Sequence, residues 1–196
     1  LLLGGPGTGK TYLARQIAGA LTQKGESVDL ISKTHVACMN LHPSAKTVDH
    51  YVRRYIRYGQ CRGTTWLVIE EITMIDPNLW ADLCALEMTG RIRMLLLGDF
   101  KQFPSVVNSW YGYPLKTSLK DSEMLKGLAQ GCYHLLTENR RSDQAVFDFI
   151  TSLKIDESDE LELCTGVKRA RELFPVTTSV PDTTLVISHA RRLAIN

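Results

Sequence analysis

Short apolar runs alternate with amphipathic stretches along the chain. Residues 1–3, 28–31, 66–69 and 94–97 have the length and composition of buried strands, and a similar run lies at residues 184–187. Strands that alternate with helices predict an α/β fold, with a doubly wound parallel sheet and flanking helices. In such sheets, ligands bind beyond the carboxyl ends of the strands.

Four of the amphipathic stretches predict helices. Gly25 can end the first helix. The pair Asp76 and Pro77 has the form of a helix start, and Gly90 can end that third helix. Ser142 can cap the fourth helix. The apolar faces consist of Leu13, Ile17 and Leu21; Val48, Tyr51, Val52 and Tyr55; Leu79, Leu83 and Leu86; and Val146, Phe149, Ile150 and Leu153.

Composition adds little to this pattern. The 196 residues are 44% hydrophobic and 22% charged, which fits one globular domain, or one domain and part of another. The net charge of +2 permits a nucleic-acid partner without favouring one, because a binding face needs clustered charge. Five cysteines fall in no metal-binding spacing, so we expect reduced thiols in an intracellular protein. No apolar run approaches the ~20 residues of a membrane span, so we expect no membrane partner.

The two ends of the chain suggest its domain organisation. Residues 1–3 lead directly into glycines, so we expect the natural start of the protein to be missing. The acidic stretch at residues 156–162 is interpreted as a solvated connector. We therefore expect a first domain over residues 1–154. Residues 155–196 would then hold the connector and the beginning of a truncated second domain.

The first strand and the first helix are joined by the sequence GGPGTGKT, which fits the P-loop pattern G-x4-G-K-[ST]. Its glycines let backbone N–H groups point at phosphate oxygens, and the helix adds the positive end of its dipole. Lys10 places a cation between the β- and γ-phosphates, and the Thr11 hydroxyl can bind Mg²⁺. The sequence therefore predicts an ATP and magnesium site. The predicted nucleotide-binding residues are Gly5, Pro6, Gly7, Thr8, Gly9, Lys10 and Thr11.

Two further predicted strands end in polar residues. After the third run, Glu70 would hold the magnesium together with Thr11, and Glu71 would orient and deprotonate the attacking water. After the fourth run come Asp99 and Gln102. An amide can hydrogen-bond both a γ-phosphate and a neighbouring surface, which suits a sensor of nucleotide state. An ordinary strand-to-loop turn is the alternative interpretation of that last segment.

These segments together resemble the motifs of a superfamily 1 helicase, and the resemblance runs through nearly the whole chain. Residues 4–11 resemble motif I, residues 69–72 resemble motif II, and residues 98–104 resemble motif III. Residues 32–37, SKTHVA, are similar to motif Ia, and residues 137–142, TENRRS, are similar to motif IV. The order and spacing favour the RecD-like and Pif-type branch of that superfamily.

The resemblance implies a RecA-like P-loop NTPase that hydrolyses ATP and moves on single-stranded DNA, usually 5′ to 3′. Because motif Ia touches the single strand in that family, Thr34 and His35 are predicted nucleic-acid contacts. His50 joins them because its segment resembles the short T-x-H element. The motif IV arginine reaches the γ-phosphate, and the N-x-R-S register makes it Arg141. The predicted catalytic residues are therefore Lys10, Glu71, Gln102 and Arg141.

The chain departs from the family pattern in several places. Glu70 stands where the family usually has aspartate, and its extra methylene changes the magnesium geometry or lowers activity. Phe100 replaces the usual proline of motif III. Motif VI, with its second arginine, would lie beyond Asn196, so we expect weak ATP hydrolysis from this fragment alone.

A basic and aromatic stretch has two interpretations. Arginines that neutralise phosphates and aromatic rings that stack on bases would fit a nucleic-acid surface, whereas a solvated charged face over a packed tyrosine stripe fits equally well. The residues concerned are Arg53, Arg54, Arg57, Arg62, Tyr51, Tyr55 and Tyr58.

Other functions are compatible with parts of the pattern. A GTPase should carry an N-K-x-D run, which the chain lacks, and a small-molecule kinase would not need Gln102 and Arg141 in helicase-like settings. A degenerate helicase remnant that holds nucleotide without moving stays open because of Glu70. An RNA helicase of the same superfamily also stays open, because nothing in the sequence identifies a contact to a 2′-hydroxyl.

Overall fold

The computed structural model of the chain describes residues 1–59, 63–102, 105–110, 112–115, 117–153, 160–175 and 193. The predicted strand at residues 184–187 and the end of motif III at residues 103–104 lie outside these ranges. The chain divides into two compact units, Leu1–Thr151 and Ser152–Asn196. Within the described ranges, no helix combines the length and the apolar character that crossing a bilayer requires.

The described residues of the first unit form eight strands. They are β1 (Leu2–Gly4), β2 (Val28–Ser32), β3 (Lys46–Thr47), β4 (Trp66–Glu70), β5 (Arg93–Gly98), β6 (Ser109–Trp110), β7 (Tyr113–Pro114) and β8 (His134–Leu136). Six of them form one sheet in the order β3-β2-β4-β5-β1-β8, and β6 and β7 form a separate antiparallel pair. Every pairing within the six-stranded sheet is parallel, which confirms the predicted fold class.

Among the residues that the structure describes, seven α-helices connect or follow these strands. They are α1 (Lys10–Gln23), α2 (His35–Leu41), α3 (Val48–Tyr51), α4 (Pro77–Glu87), α5 (Glu123–Ala129), α6 (Gln144–Ser152) and α7 (Glu160–Leu173). Helix α3 continues as a π-helical turn over Val52–Ile56, and 3₁₀ turns cover Ile72–Met74 and Leu119–Asp121.

Alternate strand residues point to opposite faces of the sheet, and helices cover both faces. Val68 and Leu97 pack with Leu2 on the face covered by α1 and α2. Leu67 and Ile69 pack on the other face, against α3 and α4. Continuous apolar runs, rather than alternating ones, are therefore required in the central strands.

The predicted start of the third helix is confirmed. The Asp76 carboxylate accepts hydrogen bonds from the N–H groups of Asn78 at 3.2 Å and Leu79 at 3.1 Å, which is an N-cap. The buried face of α4 is wider than predicted, because Trp80 is 3% exposed.

The predicted start of the fourth helix is wrong by one residue. Asp143 rather than Ser142 caps α6, since its carboxylate accepts from the N–H of Ala145 at 2.8 Å. Ser142 is instead bonded to the side chain of Asn139. Phe147, absent from the predicted apolar face, is the buried residue of this helix.

The last part of the predicted acidic connector is helical. Helix α7 begins at Glu160, so residues 160–162 belong to this helix, and the role of residues 156–162 as a solvated connector stays a prediction. Glutamate and leucine, which alternate at this point, both have high helix propensity. The suggestion that this unit begins a second motor domain stays a prediction.

Candidate active site

A cleft of about 880 Å³ opens at the carboxyl ends of the sheet strands. Its walls come from the loop after β1, the first turn of α1, helix α2, and the loops after β4, β5 and β8. The predicted site residues that line it are Pro6, Gly7, Thr8, Gly9, Lys10, Thr11, Thr34, Glu70, Glu71, Gln102 and Arg141. Residues far apart in the sequence therefore meet in one place.

The glycine-rich loop wraps tightly before α1. Gly9 immediately precedes α1 with φ 88°, in the left-handed region that favours glycine. The Thr8 hydroxyl donates to the Gly5 carbonyl at 2.8 Å and closes the loop on itself. The loop thus presents its backbone and the N-terminus of α1 to the cleft, as phosphate binding requires.

The ammonium of Lys10 lies across the loop. It donates to the carbonyl oxygens of Gly4 at 2.6 Å and Gly5 at 2.9 Å. Burial lowers the pKa of Lys10, and repulsion by Arg141 adds to this, whereas attraction to Asp99 and Glu70 opposes it. The lysine is a cation held at the mouth of the loop, among carboxylates that end the neighbouring strands.

Thr11 and Glu70 touch each other in the cleft, as the predicted metal site requires. The Thr11 hydroxyl donates to the Glu70 carboxylate, which lies at the end of β4 and is 7% exposed. Burial raises the pKa of Glu70, and the Thr11 hydrogen bond opposes that shift. A hydroxyl and a carboxylate oxygen in contact fit the oxygen ligands that Mg²⁺ prefers. The longer glutamate side chain therefore still reaches Thr11, its partner in the predicted metal site.

Glu71 points in a different direction from its neighbour. Its backbone is left-handed, with φ 56°, which is uncommon for a residue other than glycine and costs on the order of 1 kcal/mol or more. This turn separates the two carboxylates. Glu70 contacts Thr11, whereas Glu71 Oε2 lies 3.4 Å from the Ser32 hydroxyl at the end of β2. The two glutamates can therefore act on different atoms.

The loop after β5 brings Gln102 to the cleft. The Gln102 N–H donates to the Asp99 carbonyl at 3.1 Å, and the Asp99 carboxylate accepts from the Lys101 N–H at 3.0 Å. Gly98 is needed before this turn, because a Cβ there would lie 2.5 Å from Cγ1 of Ile72. The tight turn fixes the backbone of Gln102, while its side chain is exposed in the cleft.

The segment after β8 lies against the glycine-rich loop. The Arg140 N–H donates to the Gly7 carbonyl at 2.9 Å. The side chain of Arg141 also passes close to Gly7, since a Cβ there would lie 3.4 Å from the Cβ of Arg141. Arg140 is paired with Glu138, whereas no ion pair of Arg141 occurs among the described residues. This difference supports the assignment of Arg141, rather than Arg140, to the γ-phosphate.

The three predicted nucleic-acid residues occupy different surroundings. The Thr34 hydroxyl accepts from the Ala37 N–H at 3.1 Å as the N-cap of α2, and Thr34 also lines the cleft. His35 and His50 are exposed outside the cleft lining. Their contact with a nucleic acid stays a prediction.

Two of the three tyrosines of the basic stretch, Tyr51 and Tyr55, are packed rather than presented to solvent. Tyr51 is fully buried, and its ring stacks on Tyr55 with centroids 5.1 Å apart. Arg57 pairs with Asp82 at 2.8 Å. The packing interpretation therefore holds for the tyrosine stripe, whereas Tyr58 is 72% exposed.

Several residues of the cleft were missed from the sequence. Tyr12, Val36 and Asn40 line it. Tyr12 and Val36 are exposed side chains near the starts of α1 and α2. The role of Asn139 was also missed: its side-chain Oδ1 accepts from the N–H groups of Arg141 and Ser142 at 3.2 and 3.1 Å. An asparagine two residues before the arginine is the only sequence signal for this role.

A family model described as an AAA domain matches residues 1–147. An ATP-dependent DNA helicase PIF1 of Xenopus laevis is 29% identical over 202 aligned positions, which cover 89% of this chain and 29% of that protein. The human PIF1 helicase is 30% identical over 126 positions, covering 53% and 19%. The RecD2 helicase of Deinococcus radiodurans is 30% identical over 115 positions, covering 54% and 16%.

Two solved structures share the fold. A Pif1 helicase from Candida albicans superposes with a TM-score of 0.67 at 23% identity, covering 92% of this chain and 45% of that one. A Bacteroides Pif1 bound to single-stranded DNA superposes with a TM-score of 0.56 at 14% identity, covering 84% of this chain and 44% of that one. The chain thus spans less than a third of the sequence relatives and less than half of the structural ones.

Proposed function

The chain belongs to the AAA domain family, as a superfamily 1 motor domain of the Pif1 and RecD kind, and from this premise we propose an ATP-driven motor on single-stranded DNA. The cleft binds ATP with magnesium and hydrolyses it. Hydrolysis drives movement along the strand in the 5′ to 3′ direction.

One observation carries the proposal. Side chains from four separate segments converge on one cleft, and their chemical types suit γ-phosphate hydrolysis: an ammonium, a hydroxyl beside a carboxylate, a second carboxylate, an amide and a guanidinium. These residues are Lys10, Thr11, Glu70, Glu71, Gln102 and Arg141. A glycine-rich turn with a purely structural role would not need the other five side chains around Lys10.

The glycine-rich loop and Lys10 bind the phosphates. Backbone N–H groups of the loop and the first turn of α1 bind phosphate oxygens. Lys10 exchanges the carbonyl oxygens of Gly4 and Gly5 for the β- and γ-phosphates, which carry more negative charge. The ammonium is therefore already beside the position that it occupies in the complex.

Thr11 and Glu70 hold the magnesium, which neutralises phosphate charge when bound. Glu71 orients the attacking water and takes its proton. Gln102 donates a hydrogen bond to the γ-phosphate and couples the nucleotide state to the rest of the motor. Arg141 stabilises the charge that develops on the terminal phosphate.

The nucleic-acid partner is assigned to the surface that begins at Thr34. The names of the relatives specify DNA, and one structural neighbour was solved with single-stranded DNA. Thr34 follows β2 and lines the cleft, so it lies where nucleotide state and a bound strand can influence each other. His35 and His50 extend this surface outward.

The test is ATP turnover by the full-length protein with poly-dT, with poly-U and without polymer. We expect low basal turnover, strong stimulation by poly-dT and weaker stimulation by poly-U. Stimulation by poly-U alone would make the protein an RNA motor. Nucleotide binding without polymer-dependent turnover would identify a non-motor remnant and overturn the proposal.

A further inference from the structure

The carboxylate of Asp99 has one oxygen that the proposed mechanism does not use. Asp99 follows β5, is 6% exposed and lines the cleft. Its Oδ1 accepts from the Lys101 N–H, and its backbone carbonyl accepts from the Gln102 N–H. Its Oδ2 is buried and has no hydrogen-bond partner among the described protein groups.

A buried carboxylate oxygen without a partner is costly. Buried polar groups are almost always hydrogen-bonded, and buried charges are paired or associated with metals. The turn to Gln102 uses only Oδ1 and the carbonyl, so it does not explain Oδ2. The position of Asp99 therefore calls for a further partner inside the cleft.

The strand pairings place Asp99 between the lysine and the metal pair. It follows Gly98, which is paired with Leu3 of β1, the strand that leads into the glycine-rich loop. On its other side, β5 pairs with β4, whose last residue is Glu70. Attraction between Asp99 and Lys10 also acts across the cleft.

We propose that Asp99 Oδ2 is an outer ligand of the magnesium site, accepting a hydrogen bond from a water bound to the metal that Thr11 and Glu70 hold. This inference rests on the proposed function. Because Oδ1 and the carbonyl of the same residue hold the turn of Gln102, Asp99 joins metal occupancy to the position of the γ-phosphate sensor. The carboxylates that support metal ligands commonly change metal affinity by about 10- to 100-fold when removed.

Lys10 is the competing partner for Oδ2. Two of its three ammonium protons are donated to the carbonyls of Gly4 and Gly5, which leaves one proton. If Asp99 served the lysine, its loss would weaken nucleotide binding whether or not metal is present. If Asp99 instead supports the metal site, its loss weakens metal binding and leaves nucleotide binding in the absence of metal unchanged.

The test compares Asp99→Asn with the full-length wild type, using Mn²⁺ and ADP as probes. Free Mn²⁺ is measured by electron paramagnetic resonance in the presence of saturating ADP, and ADP affinity is measured by fluorescence in EDTA. We expect the Kd for Mn²⁺ to rise about 10-fold and ADP affinity in EDTA to be unchanged. An unchanged Mn²⁺ affinity, or an equal loss of ADP affinity in EDTA, overturns the proposal.

Two further variants complete the experiment. Asp148→Asn, an exposed aspartate on α6 that accepts from Gln144, is the matched control and should leave both affinities unchanged. Asp99→Ser keeps a hydroxyl that can hold the turn and should show the same loss of Mn²⁺ affinity. If both Asp99 variants unfold, the carboxylate is structural and the proposal is overturned. If wild type binds no nucleotide, the proposed function itself fails, whereas normal binding with unchanged variants sinks only this inference.

Discussion

Gly4 provides the sharpest link between the sheet and the glycine-rich loop. It is the last residue of β1 and pairs with Leu136 of β8. A Cβ at Gly4 would lie 2.6 Å from the Thr8 hydroxyl oxygen and 2.9 Å from the Leu136 carbonyl oxygen. The hydroxyl can rotate away, but the carbonyl belongs to a paired strand. Gly4→Ala must therefore separate β1 from β8 or distort the loop.

The cost follows from overpacking. Extra methyl groups in well-packed sites destabilise by about 1–3 kcal/mol. In a chain of this size each kcal/mol lowers the Tm by about 2–4 °C, so we expect a loss of about 2–12 °C. Distortion at Gly4 also displaces the glycine-rich loop that follows it and presents Lys10 to the cleft, so ATP affinity should fall together with stability.

Gly19→Ala is the matched control, because it adds the same methyl group to the exposed side of α1, where no atom lies within 4 Å. Alanine exceeds glycine in helix propensity by about 0.8–1.0 kcal/mol, so this variant should be more stable than wild type. Thermal unfolding by circular dichroism and binding of a fluorescent ATP analogue measure both effects. Gly4→Ala with wild-type stability and ATP affinity would refute the close packing of loop and sheet.

Four further outcomes follow from the site and its supports. Lys10→Ala should abolish tight ATP binding in a fluorescence titration, and retained affinity would contradict its phosphate role. Glu71→Gln should bind ATP normally while turnover falls about 10²- to 10⁴-fold, and undiminished turnover would refute its role as base. Burial raises the pKa of Glu70, so its contribution to stability is complete below the ordinary value of 4.5 and is lost as the pH rises. Glu70→Gln has no carboxylate to ionise at this position. In urea unfolding with EDTA, its free energy of unfolding should therefore rise relative to that of wild type between pH 4 and pH 8. A difference between the two that does not change with pH would contradict this. Asp76→Ala should lose about 1–2 kcal/mol in urea unfolding through its cap, and Asp76→Asn, which can still cap but loses its contact with Lys33, should lose less.

The fold was predictable where local pattern and burial agree. The four central strands are apolar runs because both faces of a parallel sheet are covered. Strand β8 was missed because it is only three residues long, and two of them, His134 and Leu135, are exposed. Its pairing with β1 joins segments more than 130 residues apart, which no local pattern shows. Strand β3, with two residues, was missed for the same reason.

The site was predictable as a set of residue types but not as a set of contacts. Lys10, Thr11 and Glu70 follow from motifs whose chemistry fixes their neighbourhood. The sequence did not show that Glu71 adopts a left-handed backbone or that Asn139 holds the arginine segment. Both depend on how separate strand ends meet, which is a property of the assembled sheet.

The most direct test of the account is a structure of the full-length protein with Mg²⁺ and a non-hydrolysable ATP analogue. We predict that the Lys10 ammonium leaves the carbonyls of Gly4 and Gly5 for the phosphates, and that Glu71, Gln102 and Arg141 surround the terminal phosphate. A terminal phosphate bound away from these three side chains, with Lys10 still on its own loop, would contradict the account.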